Sequence, residues 1–182
     1  MKMLLDACVI YPTVMREMLL GVAATGAYTP LWSARILEEW ALAARKLGPQ
    51  GEALARGEVA MVQSAFPEAC VPLHAGLEAR LWLPDANDIH VLAAAVHGNA
   101  EGIITMNAKD FPRGILAEEG LSRNDPDAFL LGHFHANPQA VTDVAQAVVE
   151  EARRLSGADW NMRSLMKKAR LPRLGKALTT SV

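Results

Sequence analysis

Short apolar runs alternate with amphipathic stretches over the first 115 residues of the chain. Four such runs predict buried strands, at 3–5, 27–32, 69–73 and 102–106. Between them the apolar positions follow helical spacing, which predicts helices over 12–26, 34–47, 51–65 and 88–97. Strands that alternate with helices are typical of a parallel sheet with helices on both faces. We therefore predict an α/β protein with three layers, a central parallel sheet flanked by helices.

The strand pattern stops near residue 115. From 127 to 180 the sequence indicates three or four short helices, interrupted by Pro138, Gly157, Pro172 and Gly175. We therefore expect two parts: a main domain over 1–125, and a C-terminal helical extension over 126–182 that packs on or beside it.

Composition excludes several classes of protein. The 182 residues are 51% hydrophobic and 21% charged, as in a globular protein that buries a core without disulfides. Cys8 and Cys70 form no CxxC pair, which excludes a zinc ribbon, and two cysteines fit a reducing cytoplasm. The longest stretch without charge, 18–34, contains Gly21, Gly26 and Pro30 and is too short for a membrane span. The sequence therefore predicts a cytoplasmic protein without membrane association.

Charge is distributed unevenly along the chain. Residues 1–150 carry ten Lys or Arg against eighteen acids, a net of −8, and residues 151–182 carry eight against two, a net of +6. The cations of this basic tail could contact phosphates, dock on the acidic part of the chain, or bind an acidic partner. They include Arg163, Lys167, Lys168, Arg170, Arg173 and Lys176.

Acidic and small polar residues recur just after the predicted strands. Asp6 follows the first strand, and Thr105, Asn107 and Asp110 lie at or just beyond the end of the last one. A further pair of acids, Asp85 and Asp88, flanks the start of the fourth predicted helix. In an open parallel sheet, ligands bind outside the carboxyl ends of the strands. We therefore expect these side chains to form one site.

The helix predicted after Ser33 offers two more acids, Glu38 and Glu39. Ile36, Trp40 and other apolar residues define its inner face. At helical spacing Glu39 falls about 90° from the centre of that face and Glu38 about 170° away. Glu39 is therefore the better candidate for the site.

Carboxylates that repel each other are stabilised when a cation lies between them. Oxygen ligands favour Mg²⁺ or Mn²⁺ over zinc, and such ions serve phosphate chemistry. Each acid taken alone could equally be an exposed or capping residue, as Asp88 could be at its helix start.

Three sequence segments resemble the PIN domain family of metal-dependent ribonucleases, which includes the VapC-type toxins. The segments are LLDA at 4–7, PDANDIHVLAAA at 84–95 and ITMNAKDFP at 104–112, with Glu39 between the first two. The likeness covers roughly 1–115, and the tail is similar to a subgroup with a C-terminal helical extension.

The resemblance implies a role for each matching residue. Asp6, Glu39 and Asp88 correspond to acids that bind Mg²⁺ or Mn²⁺, and Asp110 is the candidate for a fourth catalytic acid. Asn107 is the alternative at that fourth position, where many PIN domains have an acid. This departure leaves open whether one or two ions bind. The supporting residues would be Asp85, Thr105 and Asn107.

The resemblance predicts hydrolysis of RNA phosphodiester bonds by a metal-activated water. The protein would be the toxin of a toxin–antitoxin pair, with an antitoxin as partner and a homodimer as its expected assembly. Neither GxGxxG nor GxxxxGK[ST] occurs, so no nucleotide cofactor is expected. Two alternatives remain: a PIN-like protein that binds RNA or a partner with weak or no catalysis, and a PIN nuclease of RNA or DNA processing.

Overall fold

A computed structural model describes residues 1–180 and divides the chain into two compact units. Unit 1 comprises Met1–Tyr11 and Thr29–Asn124, and unit 2 comprises Pro12–Tyr28 together with the chain from Asp125 onward. The segment between the first two strands therefore belongs with the C-terminal helices, a grouping that the sequence did not indicate.

Unit 1 is built on a parallel sheet of five strands. The strands are β1 (Lys2–Leu5), β2 (Thr29–Ser33), β3 (Cys70–Val71), β4 (Gly102–Ile104) and β5 (Ser122–Asn124). Their order across the sheet is β3-β2-β1-β4-β5, and each neighbouring pair is parallel. The order reverses direction between β1 and β4, which defines the position where open α/β sheets bind their ligands.

The helices of unit 1 connect successive strands. They are α1 (Ala7–Ile10), α3 (Ala34–Ala43), α4 (Gly51–Ala65), α5 (Ala75–Arg80), α6 (Ile89–His97) and α7 (Arg113–Glu118), with 3₁₀ turns at Ala44–Leu47 and Ala86–Asp88. Crossovers between parallel strands are right-handed as a rule, and with this strand order the rule assigns α3 and α4 to one face of the sheet and α6 and α7 to the other. The predicted three-layer α/β fold is therefore confirmed.

The helix starts in unit 1 follow from local chemistry. Ser33 has extended backbone, and its hydroxyl accepts a hydrogen bond from the backbone N–H of Ile36, as an N-cap does. Ile36, Leu37 and Trp40 form the buried face of α3, whereas α6 is apolar on almost every side because it packs on β1, β2 and β4. These two helices carry Glu39 and His90 at the sheet's carboxyl edge.

Unit 2 consists of helices. They are α2 (Thr13–Ala24), α8 (Pro126–Ala136), α9 (Pro138–Ser156), α10 (Met162–Lys168) and α11 (Pro172–Thr180). The four helices after residue 125 confirm the predicted helical extension. Asp125, Asn137 and Asn161 cap three of them by accepting a backbone N–H. Among the described residues, no helix combines the length and hydropathy of a membrane span.

Candidate metal centre

The ends of β1 and β4 bring two polar side chains together where the strand order reverses. Leu5 pairs with Ile104, so the next residues, Asp6 and Thr105, lie side by side just beyond the sheet. The backbone N–H of Asp6 donates to the carbonyl of Ile104 over 3.1 Å, which extends the pairing by one residue. Both side chains are buried, at 6% exposure for Asp6 and 3% for Thr105.

One carboxylate oxygen of Asp6 is held by two neutral donors. Its Oδ2 accepts the Thr105 hydroxyl over 2.7 Å and the Cys8 thiol over 3.0 Å. The donors are themselves held, since Thr105 Oγ1 accepts the N–H of Asn107 and Cys8 Sγ accepts the N–H of Met106. Burial, with the charge of Asp6 adding to it, raises the pKa of Cys8 to about 12, so the thiol keeps the proton that it donates.

Three further acids meet beside this edge. Asp85, Asp88 and Asp110 each offer an oxygen within 4.8 Å of the others, and all three are partly buried. Burial and, in decreasing order, the negative charges of Asp6, Asp85, Asp110 and Glu39 together raise the pKa of Asp88 to about 6. Asp88 therefore lies in the field of every acid that the sequence had singled out.

The loops of this cluster are ordered by short-range hydrogen bonds. Asp85 Oδ1 accepts both the backbone N–H and the side-chain amide of Asn87, which forms the turn that leads into α6. Asn107 donates its side-chain amide to Asp88 Oδ2 over 3.1 Å. At the position where the resemblance calls for an acid, this chain thus has a hydrogen-bond donor that contacts Asp88.

Glu39 faces the site from α3, and Glu38 does not. Glu39 Oε1 lies 2.8 Å from Nε2 of the buried His90 and 3.4 Å from Nε of Arg35. Glu38 instead accepts two hydrogen bonds from Arg56. The helical positions of the two residues explain this difference, because residues adjacent in a helix point about 100° apart.

The carboxylates share one feature that suits a metal ion. Asp6, Glu39, Asp85 and Asp88 each use one oxygen in the contacts above, and within residues 1–180 the second oxygen of each has no hydrogen-bond partner. In the same range, no Lys or Arg forms an ion pair with Asp6, Asp85, Asp88 or Asp110. Free carboxylate oxygens, on aspartates that have no paired cation and on Glu39 beside Arg35, fit Mg²⁺ or Mn²⁺, which take oxygen ligands.

The sequence analysis did not identify every residue of the site. The sequence analysis assigns no role at the site to Cys8, Arg35 or His90. Spacing offered one signal for Cys8, since it lies two residues from Asp6. Arg35 also had a local signal, since it lies four residues before Glu39 on the same helix. The contact of His90 with Glu39 depends on how α3 and α6 approach each other.

Taken together, the fold and site define an α/β protein with an acidic, metal-type centre at the switch point of a parallel sheet. The family model described as PIN domain matches residues 2–109, which is more than half of the chain. The chain therefore belongs to the PIN domain family. PIN domains are generally metal-dependent nucleases. Neither the curated proteins nor the solved structures gave a match.

Proposed function

We propose that this protein is a metal-dependent ribonuclease that hydrolyses RNA phosphodiester bonds. The observation that carries the proposal is the group of carboxylates at the switch point, which hold free oxygens and whose four aspartates form no ion pair with a cation among residues 1–180. This group lies on the part of the chain that matches the PIN domain, apart from Asp110, which follows the match directly.

In this proposal Asp6, Glu39 and Asp88 hold Mg²⁺ or Mn²⁺, and Asp110 is the fourth catalytic acid. When bound, such an ion lowers the pKa of a coordinated water and offsets the negative charge of the phosphate. Asp85 and Thr105 support the site, and Asn107 supports it by donating to Asp88. One ion is the simpler stoichiometry, because an amide in place of an acid leaves less negative charge for a second.

The chain's own contribution is to fix the carboxylates before the substrate arrives. Thr105 and Cys8 hold Asp6 by one oxygen, so that its other oxygen points away from both donors. Glu39 is restricted by close charged and polar neighbours, with its Oε1 2.8 Å from Nε2 of His90 and 3.4 Å from Nε of Arg35. Ligands oriented by a second layer of contacts bind metal more tightly, typically by 10–100-fold.

We further propose a biological setting for this activity. The protein would be the toxin of a toxin–antitoxin pair in the cytoplasm, inhibited by an antitoxin and assembled as a homodimer. Residues 1–125 would carry the nuclease and residues 126–182 its helical extension. The free thiols Cys8 and Cys70 suit a reducing compartment.

The test compares cleavage of RNA and single-stranded DNA by the purified chain in Mg²⁺, Mn²⁺ or EDTA. Asp6→Asn should lose metal-dependent cleavage and keep its fold by circular dichroism, because Asn retains the shape of Asp6 and removes its charge. Asp159→Asn is the matched control, since Asp159 is fully exposed and distant in sequence from the site. Its cleavage should equal that of the unaltered chain.

Each result decides between the proposal and its alternatives. RNA cleavage that needs metal and Asp6 supports the ribonuclease, and cleavage of DNA alone favours a role in DNA processing. Full activity of Asp6→Asn contradicts the site. A folded chain that cleaves nothing and still binds RNA supports the binding protein instead.

A further inference from the structure

Helices α10 and α11 are joined by a short turn and pack closely on each other, and we term them the basic hairpin (residues 162–180). Its inner face buries Leu165, Met166, Leu171, Leu174 and Leu178. The two helices approach closely at Gly175, where an added Cβ would lie 2.7 Å from the Cβ of Met166. The buried Asp127 of α8 accepts the backbone N–H groups of Arg173 and Leu174 and so holds the start of α11. The buried inner face and the contacts of Asp127 therefore fix the two helices that carry the outer face.

The outer face of the basic hairpin carries cations without counter-ions. No acid occurs between residues 160 and 180, and six exposed Lys and Arg side chains form no ion pair within the described chain. They are Arg163, Lys167, Lys168, Arg170, Arg173 and Lys176. Several arginines outside the hairpin are paired, since Arg45, Arg56, Arg80 and Arg154 each form an ion pair with a glutamate. The lack of acids is thus a property of this surface and not of the whole chain.

The turn of the hairpin keeps an arginine where glycine is the usual residue. Arg170 has φ of 61°, the left-handed region. Its N–H donates to the Lys167 carbonyl, and the N–H of Leu171 donates to Met166, which together form the Schellman motif that ends a helix. A residue with a Cβ is strained in this conformation. Backbone strain of this kind clusters at functional sites, and it therefore motivates a test of the Arg170 side chain.

We propose that the basic hairpin binds the phosphate backbone of RNA, and this inference rests on the ribonuclease function proposed above. A polyanion is the ligand that unpaired cations favour. A membrane surface fits less well, because helices that lie on membranes expose large apolar side chains and none of the exposed large hydrophobics lies within 162–180. An acidic protein also fits less well, because interface cores are rich in aromatic residues and poor in lysine.

The test measures binding of the full chain to a labelled single-stranded RNA of about 20 nucleotides by fluorescence anisotropy. EDTA prevents metal-dependent cleavage during the measurement, and the salt concentration is varied. The variant Arg163→Gln, Lys167→Gln, Arg173→Gln, Lys176→Gln should bind at least about tenfold more weakly. Its slope of log K against log salt should be shallower by up to about 3, since each phosphate contact on a single strand contributes about 0.7.

A matched pair of double variants controls for total charge. Lys167→Gln with Lys176→Gln removes two cations of the hairpin, and Lys2→Gln with Arg113→Gln removes two exposed cations of unit 1 that form no ion pair among the described residues. Only the first pair should weaken RNA binding and lower the salt slope. Equal effects of the two pairs would overturn the proposal, because they would show a response to net charge alone.

Arg170 allows a test that separates binding from stability. Arg170→Gly should raise the melting temperature, because glycine relieves the left-handed strain, and should weaken RNA binding, because the cation is lost. Asn99→Gly is the control, since Asn99 also has positive φ, 51°, and lies in unit 1. It should leave RNA binding unchanged.

The remaining outcomes all decide the question. RNA binding by the quadruple variant equal to that of the unaltered chain overturns the proposal, as does an unaltered chain that binds vesicles of anionic lipid or polyglutamate but not RNA. Cleavage in Mg²⁺ is measured separately. If the chain cleaves no RNA but the hairpin still binds it, the proposed ribonuclease function is wrong and the proposed RNA-binding surface is supported. If the quadruple variant cleaves RNA with an unchanged KM, the proposed RNA-binding surface is wrong and the proposed ribonuclease function is supported.

Discussion

Asp88 is the residue on which the charges of the site converge. Burial and the neighbouring acids raise its pKa to about 6 from an ordinary value of 3.8. The folded chain therefore holds a proton on Asp88 between about pH 4 and pH 6, where the unfolded chain has released it. A group whose pKa is raised by folding favours the folded state at low pH, and this contribution is lost as the pH rises through the folded-state value.

This gives a prediction for stability without metal. In EDTA, the melting temperature should contain a component that falls as the pH rises from 4 to 6, and Asp88→Asn should remove that component. Mg²⁺ should restore stability above pH 6, because the cation offsets the charge that deprotonation creates. Thermal unfolding of both chains across this range measures it. A variant with the same pH profile as the unaltered chain would show that Asp88 is not the group responsible.

Cys8 is a second residue with a consequence for the site. Its thiol holds Asp6 Oδ2, so its loss should loosen the carboxylate that the proposed ion needs. We expect Cys8→Ala to bind Mn²⁺ about tenfold more weakly, and Cys8→Ser to bind it nearly as the unaltered chain does, because a hydroxyl can donate the same hydrogen bond. Calorimetric titration with Mn²⁺ measures this without reference to cleavage. Equal affinities of the Ala and Ser variants would remove Cys8 from the positioning role.

At the scale of elements, Asp127 joins two helices through one buried carboxylate. It lies on α8, is 4% exposed, and accepts two backbone N–H groups at the start of α11, each over 2.9 Å. Such donors have no partner within their own helix, and leaving them buried without an acceptor is costly. An acid on one helix thus caps another that begins 45 residues later.

Asp127→Ala should therefore lower the free energy of unfolding by about 3 kcal/mol. Asp125→Ala is the natural comparison, because the Asp125 side chain caps its own helix by accepting the N–H of Ala128, and its loss should cost about 1 kcal/mol. Urea unfolding of the two variants gives the comparison. Similar losses of unfolding free energy in the two variants would mean that the N–H groups at the start of α11 are hydrated when Asp127 is removed.

The elements that the sequence predicted are those whose signals are local. Ser33 as an N-cap and the helix at 51–65 both follow from neighbouring residues, and the structure confirms them. β5 was not predicted, because Ser122, Arg123 and Asn124 are polar and become a strand only by pairing with β4 at the sheet edge. The short helices α1, α5 and α7 were also missed, since four to six residues offer too few positions to show a period.

The same distinction applies to the candidate site. The aspartates were singled out because parallel strands present their carboxyl ends at one edge of the sheet, and Glu39 because the spacing of apolar residues shows which face of its helix is buried. The contact between His90 and Glu39 joins residues from two helices, and that between Asn107 and Asp88 joins two loops. Such contacts depend on tertiary packing, which no local pattern encodes. The assignment of metal ligands stays a prediction until Mn²⁺ binding is measured.

At the scale of the whole molecule, the difference in net charge between the two units is smaller than the difference between residues 1–150 and residues 151–182. Unit 1 has nine Lys or Arg against thirteen acids, a net of −4, and unit 2 has nine against seven, a net of +2. The acids of unit 2 lie outside 160–180, so its positive charge is concentrated in the basic hairpin. Local concentration of charge, more than the total, determines where a polyanion binds.

The order of the strands also determines when the site can form during synthesis on the ribosome. β1 is made first and lies at the centre of the sheet, yet its neighbour β4 begins at residue 102. The bond from Thr105 to Asp6 spans 99 residues of sequence. A nascent chain therefore cannot assemble the carboxylate site until more than half of its length has been translated. If the protein cleaves RNA, the early nascent chain on the ribosome therefore has no assembled site with which to cleave it.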